Sequence, residues 1–195
     1  MGVELGQPLR ARERLKIVKR IAPLLAACVI AASAIAQGAS PRDGERDFDF
    51  ALGTFHTHIH RLQNPLTGSA TWLTYDGTKT DRPILGGKGS LEVIEADGPS
   101  HLELMTLRLY NTSAHQWSLN FSSSQSSVMA TPSIGEFQNG TGSFIDQEVY
   151  KDRTILVRQI WSKITPSTYH FEQAFSADFG KTWEPNFVAD LVRAT

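Results

Sequence analysis

Four charged side chains interrupt runs that otherwise read as buried strand: Arg108 in Leu107-Arg108-Leu109-Tyr110, Glu148 in Gln147-Glu148-Val149-Tyr150, Arg158 in Val157-Arg158-Gln159-Ile160-Trp161, and Glu172 in Phe171-Glu172-Gln173. Charges are rarely placed in such runs unless they face water or find partners. Two arrangements satisfy that rule. In one, the side chains point outward from a solvated sheet. In the other they point inward, Arg108 and Arg158 pair with Glu148 or Glu172, and Tyr110 and Trp161 complete a pocket for a small, partly polar ligand. Arg108, Tyr110, Glu148, Arg158, Trp161 and Glu172 are therefore the candidate ligand-binding set, and no catalytic residue is assigned.

His56, His58 and His60 alternate along one segment and project from one side of a strand, with next-but-one Cβ atoms about 7 Å apart. Two imidazoles at that spacing can share a metal, but three on one straight strand rarely close a tetrahedral site without a ligand from a neighbour. The stripe reads as a solvated or half-buried polar face, so no metal is assigned and no cofactor is called for. His101-Leu102-Glu103 and His170-Phe171-Glu172 read as surface pairs. There is no Gly-x-Ser-x-Gly elbow, no His-Glu-x-x-His and no Walker loop. Gly86-Gly87-Lys88-Gly89-Ser90 lacks the spacing of a phosphate cradle and reads as a strand bend.

The elements that must position these residues are short and β-rich, punctuated by turn residues at intervals of roughly 8 to 15 positions. Strands are expected over Gly53 to Leu62, Ser69 to Tyr75, Thr78 to Ile84, Gly89 to Glu95, His101 to Tyr110, Gln116 to Ser122, Gly135 to Gln138, Gly142 to Tyr150, Arg153 to Ile164, Thr168 to Ser176 and Thr182 to Arg193. Asp76-Gly77 and Asn139-Gly140 tolerate the positive φ angles of tight hairpins. Strands joined by short turns are antiparallel neighbours, and about ten in series close most economically into a barrel, which removes both exposed edges. An all-β, up-and-down antiparallel barrel is thus expected.

Alternation suggests which faces are buried. Tyr169, Phe171, Gln173 and Phe175 share one side of their strand, and Leu102, Leu104, Arg108 and Tyr110 share one side of theirs. Such mixed faces fit a barrel that is partly filled and partly a polar-lined cavity.

Residues 1–36 differ in kind from the rest. A basic stretch (Arg10, Arg12, Arg14, Lys16, Lys19, Arg20) runs into the apolar segment Ile21 to Ile35 and the small-x-small ending Ala34-Ile35-Ala36, the order of a secretory signal. A periplasmic or secreted location is expected, with a polar leader over residues 37–47, a single barrel domain over 48–195, and no membrane span once the signal is removed. Leu25-Ala26-Ala27-Cys28 has the shape of a lipoprotein box, but the residues after Cys28 stay apolar, so cleavage after Ala36 is preferred. Residues 37–195 retain 13 of the 19 Lys+Arg and 18 of the 20 Asp+Glu, a net charge of −5 without a basic stripe, which argues against a nucleic-acid partner. Cys28 is the chain's one cysteine, so disulfides and thiol chemistry are excluded from the barrel.

The segments Phe48-Asp49-Phe50-Ala51-Leu52-Gly53-Thr54-Phe55, Leu107-Arg108-Leu109-Tyr110-Asn111, Asp146-Gln147-Glu148, Val157-Arg158-Gln159-Ile160-Trp161-Ser162, and Glu172-Gln173-Ala174-Phe175-Ser176 through Trp183-Glu184 resemble an exported bacterial family of unknown function. Its members are similar to lipocalin-type (calycin) barrels, in which an early Gly-x-Trp packs against an Arg on the final strand. The resemblance implies that role for Gly53-Thr54-Phe55 and Arg193, with Phe in place of Trp, and it sets Phe179 where the family usually carries Gly. Ser176-Ala177-Asp178-Phe179-Gly180-Lys181-Thr182-Trp183 also matches the hairpin called an Asp-box. One box cannot make a propeller, and turn chemistry alone accounts for its residues.

The leading functional expectation is a binding module that holds a small-molecule ligand inside the barrel. The alternatives are an enzyme using a polar interior with Arg108, Glu148, Arg158 and Glu172, and a structural or envelope-interaction protein whose barrel is full.

Overall fold

The computed structural model describes residues 43–195; the expected signal segment and the expected leader as far as residue 42 lie outside the described residues. Ten strands form one closed barrel: β1 (Gly53–Leu62), β2 (Trp72–Ile84), β3 (Gly89–Asp97), β4 (His101–Asn111), β5 (Gln116–Ser123), β6 (Ser133–Gln138), β7 (Thr141–Tyr150), β8 (Arg153–Ser162), β9 (Thr168–Ser176) and β10 (Glu184–Arg193). Each strand pairs antiparallel with its neighbours in sequence, and β1 closes the ring against β10 with Phe55 opposite Arg193. The fold is the expected up-and-down barrel. Among the described residues no helix is long and apolar enough to cross a membrane.

Ten strands stand where eleven segments were expected, because Asp76-Gly77 is not a turn. Both residues lie inside β2, which continues from Trp72 to Ile84. Gly77 serves a different need: a Cβ there would sit 2.1 Å from the Glu95 carbonyl oxygen on β3, so only glycine permits this approach. Asn139-Gly140 does form a hairpin, with φ of 51° and 76°. At the other end of β7, Lys151 and Asp152 take the same left-handed conformation. The last strand begins at Glu184 because Thr182 is held in the preceding turn by Asp178.

The end of the barrel where β1 starts is plugged by residues 43–52, whose 3₁₀ turn Asp49–Ala51 brings Phe48 and Phe50 inside. Phe48 packs edge-on against Trp117, Phe137 and Trp161, with centroids 5.1, 4.9 and 5.4 Å away. The plug is also tied by hydrogen bonds. Arg193 donates to the Leu52 and Phe50 carbonyls at 2.8 Å each, Trp117 donates to the Gly44 carbonyl at 2.9 Å, and the Tyr110 hydroxyl donates to Asp43 at 2.9 Å. The Arg193 guanidinium also lies 4.4 Å over the Phe55 ring, the closure that the family resemblance implied.

Candidate functional site

Alternation of side chains through β2, β3 and β4 places four ionisable residues inside the barrel. Lys79 and Asp81 lie on the face of β2 that carries Tyr75, Glu92 lies two positions from Ser90 on β3, and Arg108 lies between Thr106 and Tyr110 on β4. Pairing sets Asp81 opposite Glu92 and Ser90 opposite Arg108, so the charges converge on one level. Arg108 is 0 % exposed and forms ion pairs with both Asp81 and Glu92. The Lys79 Nζ is 3.6 Å from Asp81 and 3.8 Å from Glu92, donates to the Ala51 carbonyl, and lies 4.6 Å over the Phe55 ring. Two cations thus face two anions, which is how buried charge is made tolerable.

The protonation balance follows from this packing. Burial lowers the Lys79 ammonium to about 8, although both carboxylates pull it back. Burial raises Asp81, against Arg108. Glu92 feels the same burial, but Arg108 and Lys79 together outweigh it and hold its carboxyl below the usual range, so it stays ionised. Arg108 is pushed up despite burial, because Glu92 and Asp81 stabilise its charge.

Beyond this cluster, toward the open end, the barrel holds a cavity of about 220 Å³. Glu92, Thr106, Gln159 and Gln173 supply its polar lining, Trp161, Tyr169, Phe171 and Phe187 its aromatic walls, and Arg61, His101, Glu103 and Ser124 are among the residues around it. Trp161 and Phe171 are in direct ring contact at 4.7 Å. Tyr169 is 3 % exposed, and its hydroxyl has no hydrogen-bond partner among the described residues. Burial, with Glu92 nearby, lifts that phenol well above its ordinary range and keeps it neutral. A second hollow of about 270 Å³ lies against the plug, between Arg46 and Trp117.

The structure divides the six expected site residues. Arg108 and Trp161 lie inside, 6.0 Å apart from guanidinium to ring. Tyr110 is also inside, but it anchors the plug through Asp43 and Gly44 and does not line the cavity. Glu148 shares the inward face of β7 with Asp146 and Phe144, and burial and then Asp146 raise its carboxyl. Asp146 accepts from Ser133, to which Gln159 donates at 3.1 Å, and burial raises Asp146 as well.

Arg158 and Glu172 do not join this interior. Arg158 pairs across the sheet with Ala174, on the opposite face from Val157 and Gln159, and Glu172 lies on that same outer face. They stand 3.6 Å apart, each about a third exposed, with the Arg158 guanidinium 4.5 Å over Trp183 of the Asp-box turn. Of the two arrangements the sequence leaves open, Arg158 and Glu172 follow the outward one and so leave the candidate ligand-binding set, while Arg108 points inward but meets Asp81 and Glu92, not Glu148 or Glu172. The strand period is the reason, since 108 and 158 have opposite parity relative to their inward neighbours.

The histidine stripe faces outward. His58 bonds Asp76 at 2.6 Å, His60 meets Thr74 at 3.2 Å, and the two rings are 4.7 Å apart. Pairing across the sheet extends this into a row, with His170 opposite Asp190, Asp190 opposite His58, and His58 opposite Asp76. Among the described residues no group of three or more His, Cys, Asp or Glu is arranged to hold a metal ion. In the Asp-box turn, Asp178 accepts from the Thr182 N–H and hydroxyl and from Ser176, and these bonds lower its carboxyl to about 2.

No protein-family model matches the chain, and no curated protein matches it in sequence. Solved structures that share its fold include the following two. The S-type phycobiliprotein lyase CPES from Guillardia theta superposes with a TM-score of 0.55 at 13 % identity, over 80 % of this chain and 94 % of that one. Rv2717c from M. tuberculosis superposes with a TM-score of 0.53 at 10 % identity, over 80 % of this chain and 99 % of that one. Both likenesses concern a lipocalin-like barrel, and at such identity they carry the architecture alone.

Proposed function

We propose that this chain is an exported small-molecule-binding barrel of the periplasm or cell exterior, whose ligand enters the cavity from the end opposite the plug. The observation that carries the proposal is the cavity itself, with aromatic walls and a few converging polar groups, the composition of a ligand site and not of a packed core. The same cavity weighs against a barrel that is merely full. An enzyme would need an acid and a base that both reach the cavity. Glu92 lies in its inner wall, whereas Lys79 is wholly buried beneath and does not line it, and His101 and Glu103, which also border the cavity, are solvent-exposed.

Native mass spectrometry of protein purified from its own host tests the reading. A retained small molecule is expected, and it should be lost in Leu104→Trp, which projects a larger side chain into the cavity. Wild-type protein that carries nothing and binds no apolar probe would overturn the proposal. Export is tested by the mature N-terminus, expected at Gln37; a lipid on Cys28 would overturn that cleavage site.

A further inference from the structure

We infer that the cavity selects an aromatic ligand whose buried head donates hydrogen bonds, an amine, amidine, hydroxyl or ring N–H, and that it rejects carboxylate and phosphate heads. This rests on the binding-module reading and names the class of ligand.

The inner part of the cavity shows a ligand only one half of the buried charge cluster. Glu92 lines the cavity, and its side chain is 9 % exposed, while Arg108 behind it is 0 % exposed and does not line it. Arg108 occupies one carboxylate oxygen, and Thr106 adds a further hydrogen bond to Glu92. A ligand head that reaches this wall therefore meets a fixed acceptor and never the cation. An anionic head would be desolvated against a like charge, whereas a donor gains a charge-assisted bond.

Tyr169 adds a neutral polar group at the same wall, while Glu92 sets the direction of the head's hydrogen bonds. The Tyr169 hydroxyl is buried beside the cavity without a partner among the described residues. Its oxygen has no surface open to the cavity, so a ligand head reaches it only by a small shift of the neighbouring wall, and the hydrogen bond then recovers the cost of an unsatisfied buried group. The body of the ligand is set by Trp161, Phe171 and Phe187, whose rings favour a flat, unsaturated partner. At about 220 Å³ the space falls below the roughly 300 Å³ at which drug-sized pockets begin, which points to one or two fused rings.

Calorimetric titration of the purified protein with naphthylmethylamine, naphthol and naphthoate tests the inference, because these probes share a ring system and differ in head. The amine and the alcohol are expected to bind, with naphthoate at least about tenfold weaker. Tyr169→Phe should weaken the favoured probes by roughly three- to tenfold, the worth of one hydrogen bond, without lowering the melting temperature, since the lost hydroxyl had no partner. Naphthoate binding as tightly as the amine, and abolished by Leu104→Trp, would overturn the head-group selection while leaving a ligand cavity in place. Amine binding that is indifferent to Tyr169→Phe and Glu92→Gln would also overturn it. Failure of all three probes, together with no retained ligand in native mass spectra, would remove the binding-module reading as well.

Discussion

Replacing Arg108 and Arg158 in turn by Met separates a buried charge network from a surface pair of the same chemical type. Arg108 is fully enclosed and holds two carboxylates. Its removal leaves Asp81 and Glu92 in the interior with only Lys79, at 3.6 and 3.8 Å, to balance them. Breaking a buried pair by deleting one partner costs roughly 3 to 5 kcal/mol. Arg158 is 30 % exposed, with one carboxylate at 3.6 Å and one ring at 4.5 Å. An exposed pair contributes about 0.2 to 1 kcal/mol and an exposed cation–π contact about 0.5 to 1 kcal/mol, so Arg158→Met should cost roughly 1 kcal/mol. For a domain of this size the two variants should melt on the order of 10 °C and about 3 °C below wild type. Urea unfolding gives the free energies directly, provided the m-value is unchanged. Equal losses, or an Arg108→Met protein as stable as wild type, would refute the claim that β4 carries a buried, doubly paired guanidinium.

Lys79 makes stability depend on pH in a window set by its own shift. Its folded pKa of about 8 lies below the ordinary 10.5, so between those values the unfolded chain holds more protons and stability rises with pH. The slope should climb from about 0.7 kcal/mol per unit at about pH 8 to a maximum of about 1.2 at about pH 9.3 and vanish in Lys79→Met; wild-type and variant curves that run parallel would rule this out. Phe55 and Arg193 should couple by about 0.5 to 1 kcal/mol in a double-mutant cycle, and additivity within error would argue against this barrel closure. Phe179 has φ of 60° and is 80 % exposed, so Phe179→Gly should raise stability by up to about 1 kcal/mol in thermal melts, unless the Asp-box turn relies on that ring. EDTA should leave the melting temperature unchanged, because the histidine row meets carboxylates and hydroxyls on the outer face; a large drop would show a metal there.

The barrel was legible because its signals are local: periodic β-rich runs, short turns, and too many consecutive strands to leave two edges open. β1 and β9 were read to the residue, and the inward set Tyr169, Phe171, Gln173 and Phe175 follows from period alone. The charge network was half legible. Arg108 stood out within an apolar run, but its partners did not: Asp81 sits between Thr80 and Arg82 in a polar segment, and Glu92 alternates with Leu91 and Val93 as a charge on an exposed strand face would. One misreading hid them. Taking Asp76-Gly77 as a turn cut β2 in two and broke the alternation that runs from Tyr75 through Gly77 to Lys79 and Asp81. With the strand kept whole, Lys79 and Asp81 fall on the face of a buried tyrosine, which would have flagged both. Arg158 failed for the opposite reason. Its neighbours Val157 and Trp161 are apolar because they face inward, and the strand's other face is covered in part by Trp183, so the run looked buried on both sides.

The charge network and the cavity form one construction. Filling the level of Lys79, Asp81, Glu92 and Arg108 with apolar side chains of similar volume would be neutral or stabilising in many proteins, so stability alone gives no reason for four charges there. Their arrangement gives another. Lys79 reaches up to the Ala51 carbonyl and Arg108 stacks 4.6 Å from the Phe48 ring, so both cations face the plug, while Glu92 faces the cavity. The cations fasten the segment that closes one end, and their counter-ion becomes the fixed acceptor at the inner wall of the other. On this account Glu92→Gln should reach both ends at once: it weakens donor-headed probes, and it loosens the plug by leaving Arg108 with Asp81 as its one carboxylate partner. Hydrogen exchange would read the second effect at the Ala51 and Leu52 amides, which bond within the plug to Phe48 and Asp49. Unchanged protection there, alongside weakened binding, would mean that the two ends are independent and that the network is a cavity wall only.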